Sequence, residues 1–291
     1  MPGLVEMLVG PFLEFDFMRR ALVGTTAIAL AGAPVGVFLM LRRMSLTGDA
    51  MAHAILPGAA IGYLVAGLSL PAMTVGGIMA GLVVAALSGL VARATALKED
   101  ASLAAFYLLS LALGVVIVSL RGSNVDLLHV LFGSVLALDD ATLVLLAAIT
   151  SATLLALAVL YRPLVVECVD PAFLRSVSRA GPATHLVFLG LVVLNLVGGF
   201  HALGTLLAVG MMMLPAAASR FWTAEITGMV LVAVLVGMGS GAAGLLLSYH
   251  AGLPAGPAIV LVAGGAYIAS LLVGREGGLL WLVRPGRHLE A

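Results

Sequence analysis

The chain has 291 residues, 62% of them hydrophobic and 10% charged, with 14 basic and 14 acidic side chains and a formal net charge of zero. Its mean hydropathy is +1.20. A soluble domain carries far more charge than this, so the composition excludes one, and the neutral balance gives no sign of a nucleic-acid partner.

The N-terminal stretch MPGLVEMLVGPFLEFDFMRR carries Glu6, Glu14 and Asp16 ahead of the first apolar run. A cleavable signal peptide is basic there, so residues 1–19 read as an outer segment. Apolar runs of spanning length follow at 20–41, 44–66, 71–94, 101–120, 141–161, 184–200, 203–219, 225–249 and 256–274. Between the fourth and fifth lies DLLHVLFGSVLAL, residues 126–138, too short to span and followed by Asp139 and Asp140. It reads as a half-helix that dips in and returns, which is tolerated where protein or water surrounds the backbone. Pro34, Pro57 and Pro215 each interrupt a run and predict kinks or freed carbonyls. The expectation is an all-α polytopic membrane protein, one transmembrane domain over residues 1–291 with eight or nine spans. The single cysteine, Cys168, excludes an internal disulfide.

Orientation follows from the basic residues. With the N-terminus outside and nine spans, Arg19, Arg20 and Arg121 lie outside and the other eleven of the 14 lie inside. That bias fixes the inside as cytoplasmic. One long connection, within residues 162–183, falls on that side. It contains DPAFLRSVSRAG, in which Asp170 can cap, Pro171 suits a first helical turn and Gly181 can end a short helix. Such a helix is either an ordinary amphipathic connector or a docking element for a cytoplasmic partner. Residues 275–291 form a cytoplasmic tail.

The second span opens with MSLTGDAMAHAILPG, in which Asp49 and His53 are four residues apart and share a helical face. Asp49 lies about 9 Å, and His53 about 15 Å, beyond Arg43 along a helix. An ionisable group at that depth is a candidate functional residue facing a cavity or an interface. A carboxylate oxygen and an imidazole nitrogen suit Zn²⁺, Mn²⁺ or Fe²⁺. Two ligands make half a site, and a two-fold dimer would supply four. The alternative is structural: Asp49 reaches back to the arginines and His53 satisfies a backbone carbonyl.

Five stretches in order resemble bacterial ABC-type importer permeases for zinc, manganese and iron: LRRMSLTGDAMAHAILPG, LFGSVLAL, DPAFLRSVSRAG, GTLLAVGMMMLPAAASR and LPAGPAIVL. The resemblance runs over residues 20–275. It implies a fold akin to the cobalamin-importer permeases, one helix shorter at the N-terminus, in the bacterial cytoplasmic (inner) membrane. It further implies a homodimer in which each copy docks an ATPase subunit through the cytoplasmic coupling helix (Asp170, Pro171, Arg175, Arg179, Gly181). An extracytoplasmic metal-binding protein delivers the ion, and Asp49 and His53 lie on the translocation path. No cofactor is held permanently; the divalent ion, Zn²⁺ or Mn²⁺, is cargo.

The only lysine, Lys98, is preceded by Leu97 and followed by Glu99, so no phosphate-binding GxxxxGK[ST] loop exists in this sequence. An ATP-driven transporter built on this chain must borrow its ATPase. A proton-coupled carrier is the competing function, although internal repeats, its usual mark, are not evident. His129, His201 and His250 fall near outer ends of spans beside Asp126, Asp139 and Asp140. They form either a metal-receiving vestibule, whose acidity would attract cations, or ordinary interfacial side chains. His185 reads as a solvated structural residue at the cytoplasmic end. Three consecutive methionines, Met211–Met213, point in three directions on a helix and read as packing.

Overall fold

The computed structural model describes residues 4–67, 69–120, 135–170, 173 and 180–282, and all regular structure among them is helical. Helix α1 (Leu4–Glu14) precedes α2 (Asp16–Leu41), and the second span is two helices, α3 (Ser45–Ala54) and α4 (Leu56–Ala66). Then come α5 (Leu70–Ala94), α6 (Glu99–Leu120), α7 (Asp140–Val169), α8 (Ala180–Leu203), α9 (Thr205–Ser219), α10 (Ile226–Ala251), α11 (Ala255–Val273) and the short α12 (Leu279–Leu282).

Among the described residues, eight stretches are long and apolar enough to cross a bilayer: α2, α3 with α4, α5, α6, α7, α8, α10 and α11. Helix α9 has 15 residues. At about 1.5 Å per residue it falls short of a hydrocarbon core about 30 Å thick. Its neighbours still place it across the membrane. Ala208 packs on Gly199 near the outer end of α8, Met212 on Gly32 of α2, Ala216 on Gly36, and Phe221, just past α9, on Gly274 at the inner end of α11. The chain therefore passes inward here, a ninth time among the described residues. Most of α9 is buried, Met211 and Met212 almost completely. A short helix is tolerated because protein rather than lipid surrounds it. The buried methionines behave as the packing residues their spacing implies.

Two boundaries differ from those the sequence implies. Helix α7 runs to Val169, well past the expected end of its span, through Arg162 and Pro163. Glu167, in this extension, is paired inside the protein (below). Helix α8 begins at Ala180, so 162–169 and 180–183 of the expected connection are helical. Gly181, expected to end a short helix, instead lies in the first turn of α8, where Pro182 is tolerated because first-turn N–H groups have no intrahelical acceptor. The Phe173 N–H donates to Asp170 Oδ1 at 2.9 Å. Pro171, Arg175 and Arg179 lie outside the described residues, as does 126–134 of the expected half-helix. The end of that segment, Val135–Ala137, is one 3-10 turn.

Close helix contacts run through glycine. A Cβ on Gly58 of α4 would collide with the Gly76 backbone of α5, and one on Gly62 with Ala72. These backbone approaches fix α4 against α5 in the manner of small-residue membrane interfaces. The largest buried cluster includes Phe38, Met51, Ile55, Phe188, Leu189, Val193 and Met212, and it wraps the inward side of α3.

Candidate functional site

Helix α3 is ten residues long because the chain is broken on both sides of it. At its start, α2 ends in a left-handed cap. The Arg43 N–H donates to the Met40 carbonyl at 3.0 Å and the Met44 N–H to the Leu39 carbonyl at 2.9 Å. Arg43 sits at φ 59°, alone among described non-glycine residues in having positive φ. Glycine is the usual residue at that position of such a cap. At its other end, Pro57 has no N–H to give the His53 carbonyl, the acceptor four residues back. The next carbonyl, of Ala54, takes a hydrogen bond from the Ser110 hydroxyl of α6 at 2.8 Å.

Between these breaks, Asp49 Oδ1 and His53 Nε2 face each other at 3.9 Å. That is too long for a hydrogen bond. Metal–oxygen and metal–nitrogen bonds of about 2.0–2.2 Å let one ion touch both atoms across such a gap. The Asp49 side chain is 66% exposed and that of His53 30%. His53 Nδ1 is buried with no hydrogen-bond partner, and the ring lies 6.4 Å from that of Tyr107. Among the described residues Asp49 has no ion pair with Arg42 or Arg43. The structural alternative, in which both side chains are satisfied by the arginines and a carbonyl, is not what the geometry shows.

The outer polar residues are arranged differently. His201 Nδ1 donates to the Val197 carbonyl at 2.8 Å and His250 Nδ1 to the Leu246 carbonyl at 2.9 Å, each four residues back on its own helix. A carbonyl only accepts, so each Nδ1 carries the proton. Asp139 caps α7, accepting the Thr142 N–H at 2.9 Å. The Thr142 hydrogen bonds hold its carboxyl below the usual carboxylate range. Asp140 pairs with Arg20 at 2.9 Å. His129 and Asp126 lie outside the described residues. No group of three or more His, Cys, Asp or Glu side chains that could hold an ion occurs among those described.

A third cluster was not expected from the sequence. Arg42 Nη2 donates to Glu167 Oε1 at 2.9 Å and also contacts His185 Nδ1. The Arg42 and Glu167 side chains are 8% and 11% exposed. His185 is buried, not solvated as its terminal position implied. The guanidinium carbon lies 4.9 Å from the centre of the Phe188 ring. Glu167, an isolated acid in the apolar run LVVECV, was the signal available for this cluster: such an acid demands a buried partner.

Three comparisons bear on what this arrangement serves. Residues 14–274 match the ABC 3 transport family. The manganese transport system membrane protein MntC of Listeria monocytogenes is 31% identical over 272 residues, covering 92% of this chain and 95% of that one. The manganese import system permease protein ScaB of Streptococcus parasanguinis is 30% identical over 270 residues, covering 93% and 95%. Among solved structures, PsaBC from Streptococcus pneumoniae in complex with Fab superposes with a TM-score of 0.84 at 27% identity, over 96% of this chain and 99% of that one. A metal-chelate type ABC transporter in an inward-facing conformation gives 0.69 at 14% identity, over 87% and 85%, a likeness of fold.

Proposed function

The chain belongs to the ABC 3 transport family, and from that premise we propose that it is the membrane permease of an ATP-driven importer of a divalent transition-metal ion, with Mn²⁺ as cargo. Family and topology support a multi-pass membrane transport subunit. The reading of its site is carried by one observation: Asp49 Oδ1 and His53 Nε2 are poised 3.9 Å apart on an exposed face, with no ion pair from Asp49 to Arg42 or Arg43 among the described residues. The choice of Mn²⁺ rests on relatives named for manganese. Oxygen and nitrogen ligands also suit Zn²⁺, so the ligand set alone does not make the choice.

An exposed carboxylate at this depth cannot face acyl chains cheaply. A second copy, related by a two-fold axis, would cover it and bring two oxygens and two nitrogens to one axial ion. Binding there is transient, since conduction needs an ion that can leave. In this reading an extracytoplasmic binding protein delivers the ion to the outer mouth. The connection after α7, with Asp170, Pro171, Arg175, Arg179 and Gly181, seats a separate ATPase.

The test is reconstitution of the chain with its ATPase and delivery protein in sealed vesicles. The proposal expects Mn²⁺ uptake that requires ATP, and loss of ATPase co-purification when Arg175 and Arg179 are both reversed to Glu. Uptake by the chain alone, driven by a proton gradient, would make it a secondary carrier instead.

A further inference from the structure

Arg42 occupies a particular place in the chain. It ends α2 directly before the Arg43 cap, and α3, with Asp49 and His53, begins three residues later. Its two polar partners come from the two helices that border the cytoplasmic connection. Glu167 is three residues before Asp170 at the end of α7, and His185 lies in the second turn of α8. The cluster thus ties together the entry to the connection, the exit from it, and the base of the helix that carries the candidate metal ligands.

The energetics favour a function beyond adhesion. A buried ion pair is weak support for stability, because desolvating both charges costs about as much as their attraction returns. Apolar side chains of similar volume would hold α2, α7 and α8 together at least as well. The cluster is also incompletely satisfied: Arg42 Nη1 and Glu167 Oε2 are buried without hydrogen-bond partners. What a directional, charged contact supplies is registry. The Glu167 carboxylate and the guanidinium hold a fixed relative geometry, and His185 Nδ1 stands 3.8 Å from the same Glu167 oxygen. The Arg43 cap makes Arg42 an end point rather than a mid-helix position, so displacing Arg42 displaces the start of α3.

We propose that Arg42, Glu167 and His185 form the mechanical link that transmits ATPase-driven displacement of the cytoplasmic connection to α3 and so to Asp49 and His53. They are positioning residues and do not touch the ion. The proposal rests on the importer reading above. It predicts that cutting the link separates ATP hydrolysis from transport.

The experiment uses the complete importer in vesicles and reads Mn²⁺ taken up per ATP hydrolysed. The double variant Arg42→Met, Glu167→Leu replaces the pair by apolar side chains of similar length. Glu167→Gln keeps shape and one hydrogen bond but removes the charge. At least one variant is expected to assemble with the ATPase and hydrolyse ATP, with uptake per ATP lowered about tenfold, within the range seen when coupling residues are changed. Parental uptake per ATP in an assembled double variant overturns the link. Failure of both variants to assemble also overturns it, by assigning the cluster to folding. Failure of the importer reading looks different, since the parental complex itself would then show no ATP-dependent uptake.

Discussion

The outer ends of the spans and helix α3 use histidine and acid in different ways. At the outer end, His201 and His250 spend a ring nitrogen on a carbonyl of their own helix, Asp139 caps α7, and Asp140 is paired with Arg20. On α3 the same residue types are left incomplete: Asp49 is exposed, His53 Nδ1 has no partner, and the two groups stand apart by the span of two metal bonds. An unsatisfied atom alone does not set α3 apart, since His201 Nε2 is also buried without a hydrogen-bond partner among the described residues; what α3 adds is a carboxylate oxygen and an imidazole nitrogen facing each other on an exposed face. In the proposed reading the outer histidines serve structure and His53 serves the ion.

The largest effect that can break this contrast is on transport. Asp49→Asn and His53→Ala should each bring Mn²⁺ uptake to about one hundredth of parental or less, since even outer-shell partners of a metal cost 10–100-fold when lost. ATPase co-purification should be unchanged. Parental uptake by both variants, at equal expression, would remove the site.

A smaller effect concerns the scaffold that presents it. Gly58→Ala forces a Cβ into the Gly76 backbone next to the break that ends α3. Overpacking of this kind costs about 1–3 kcal/mol. A lowered melting temperature in detergent is the readout, with Gly265→Ala, where a Cβ meets nothing within 4 Å, as the neutral control. Smallest are the outer histidines. His201→Ala should cost about 1 kcal/mol, the worth of one hydrogen bond, and leave uptake at its parental level. His250→Ala should alter neither. A loss of uptake in either would return these residues to the transport path and dissolve the contrast.

Much of this architecture is legible in the sequence because a bilayer imposes long apolar runs and a charge bias at their ends. The spans and the Asp49–His53 face follow from those two rules. The sequence misleads where the protein itself, rather than lipid, is the solvent. Helix α9 fills the run read as a span at 203–219, but its 15 residues are enclosed by α2, α8, α10 and α11, which no run of apolar residues reveals. Helix α7 continues through Pro163 and Glu167 because Arg42 neutralises the acid. His185 is buried beside the same pair, and one member, Arg42, lies 143 residues away in the chain, which no local pattern encodes. That Asp49 makes no ion pair with Arg42 or Arg43 among the described residues is likewise a property of the folded chain: spacing placed Asp49 and His53 on one face without excluding the arginines as their partners.

The central claim is that Asp49 and His53 bind the transported ion together. Mn²⁺ is paramagnetic, so pulsed electron paramagnetic resonance of the Mn²⁺-loaded importer reads nitrogen coupling from a ligating imidazole directly. The account predicts imidazole nitrogen coupling in the parental complex that disappears in His53→Ala and persists in His201→Ala and His250→Ala. Identical spectra for the parental complex and His53→Ala would contradict it.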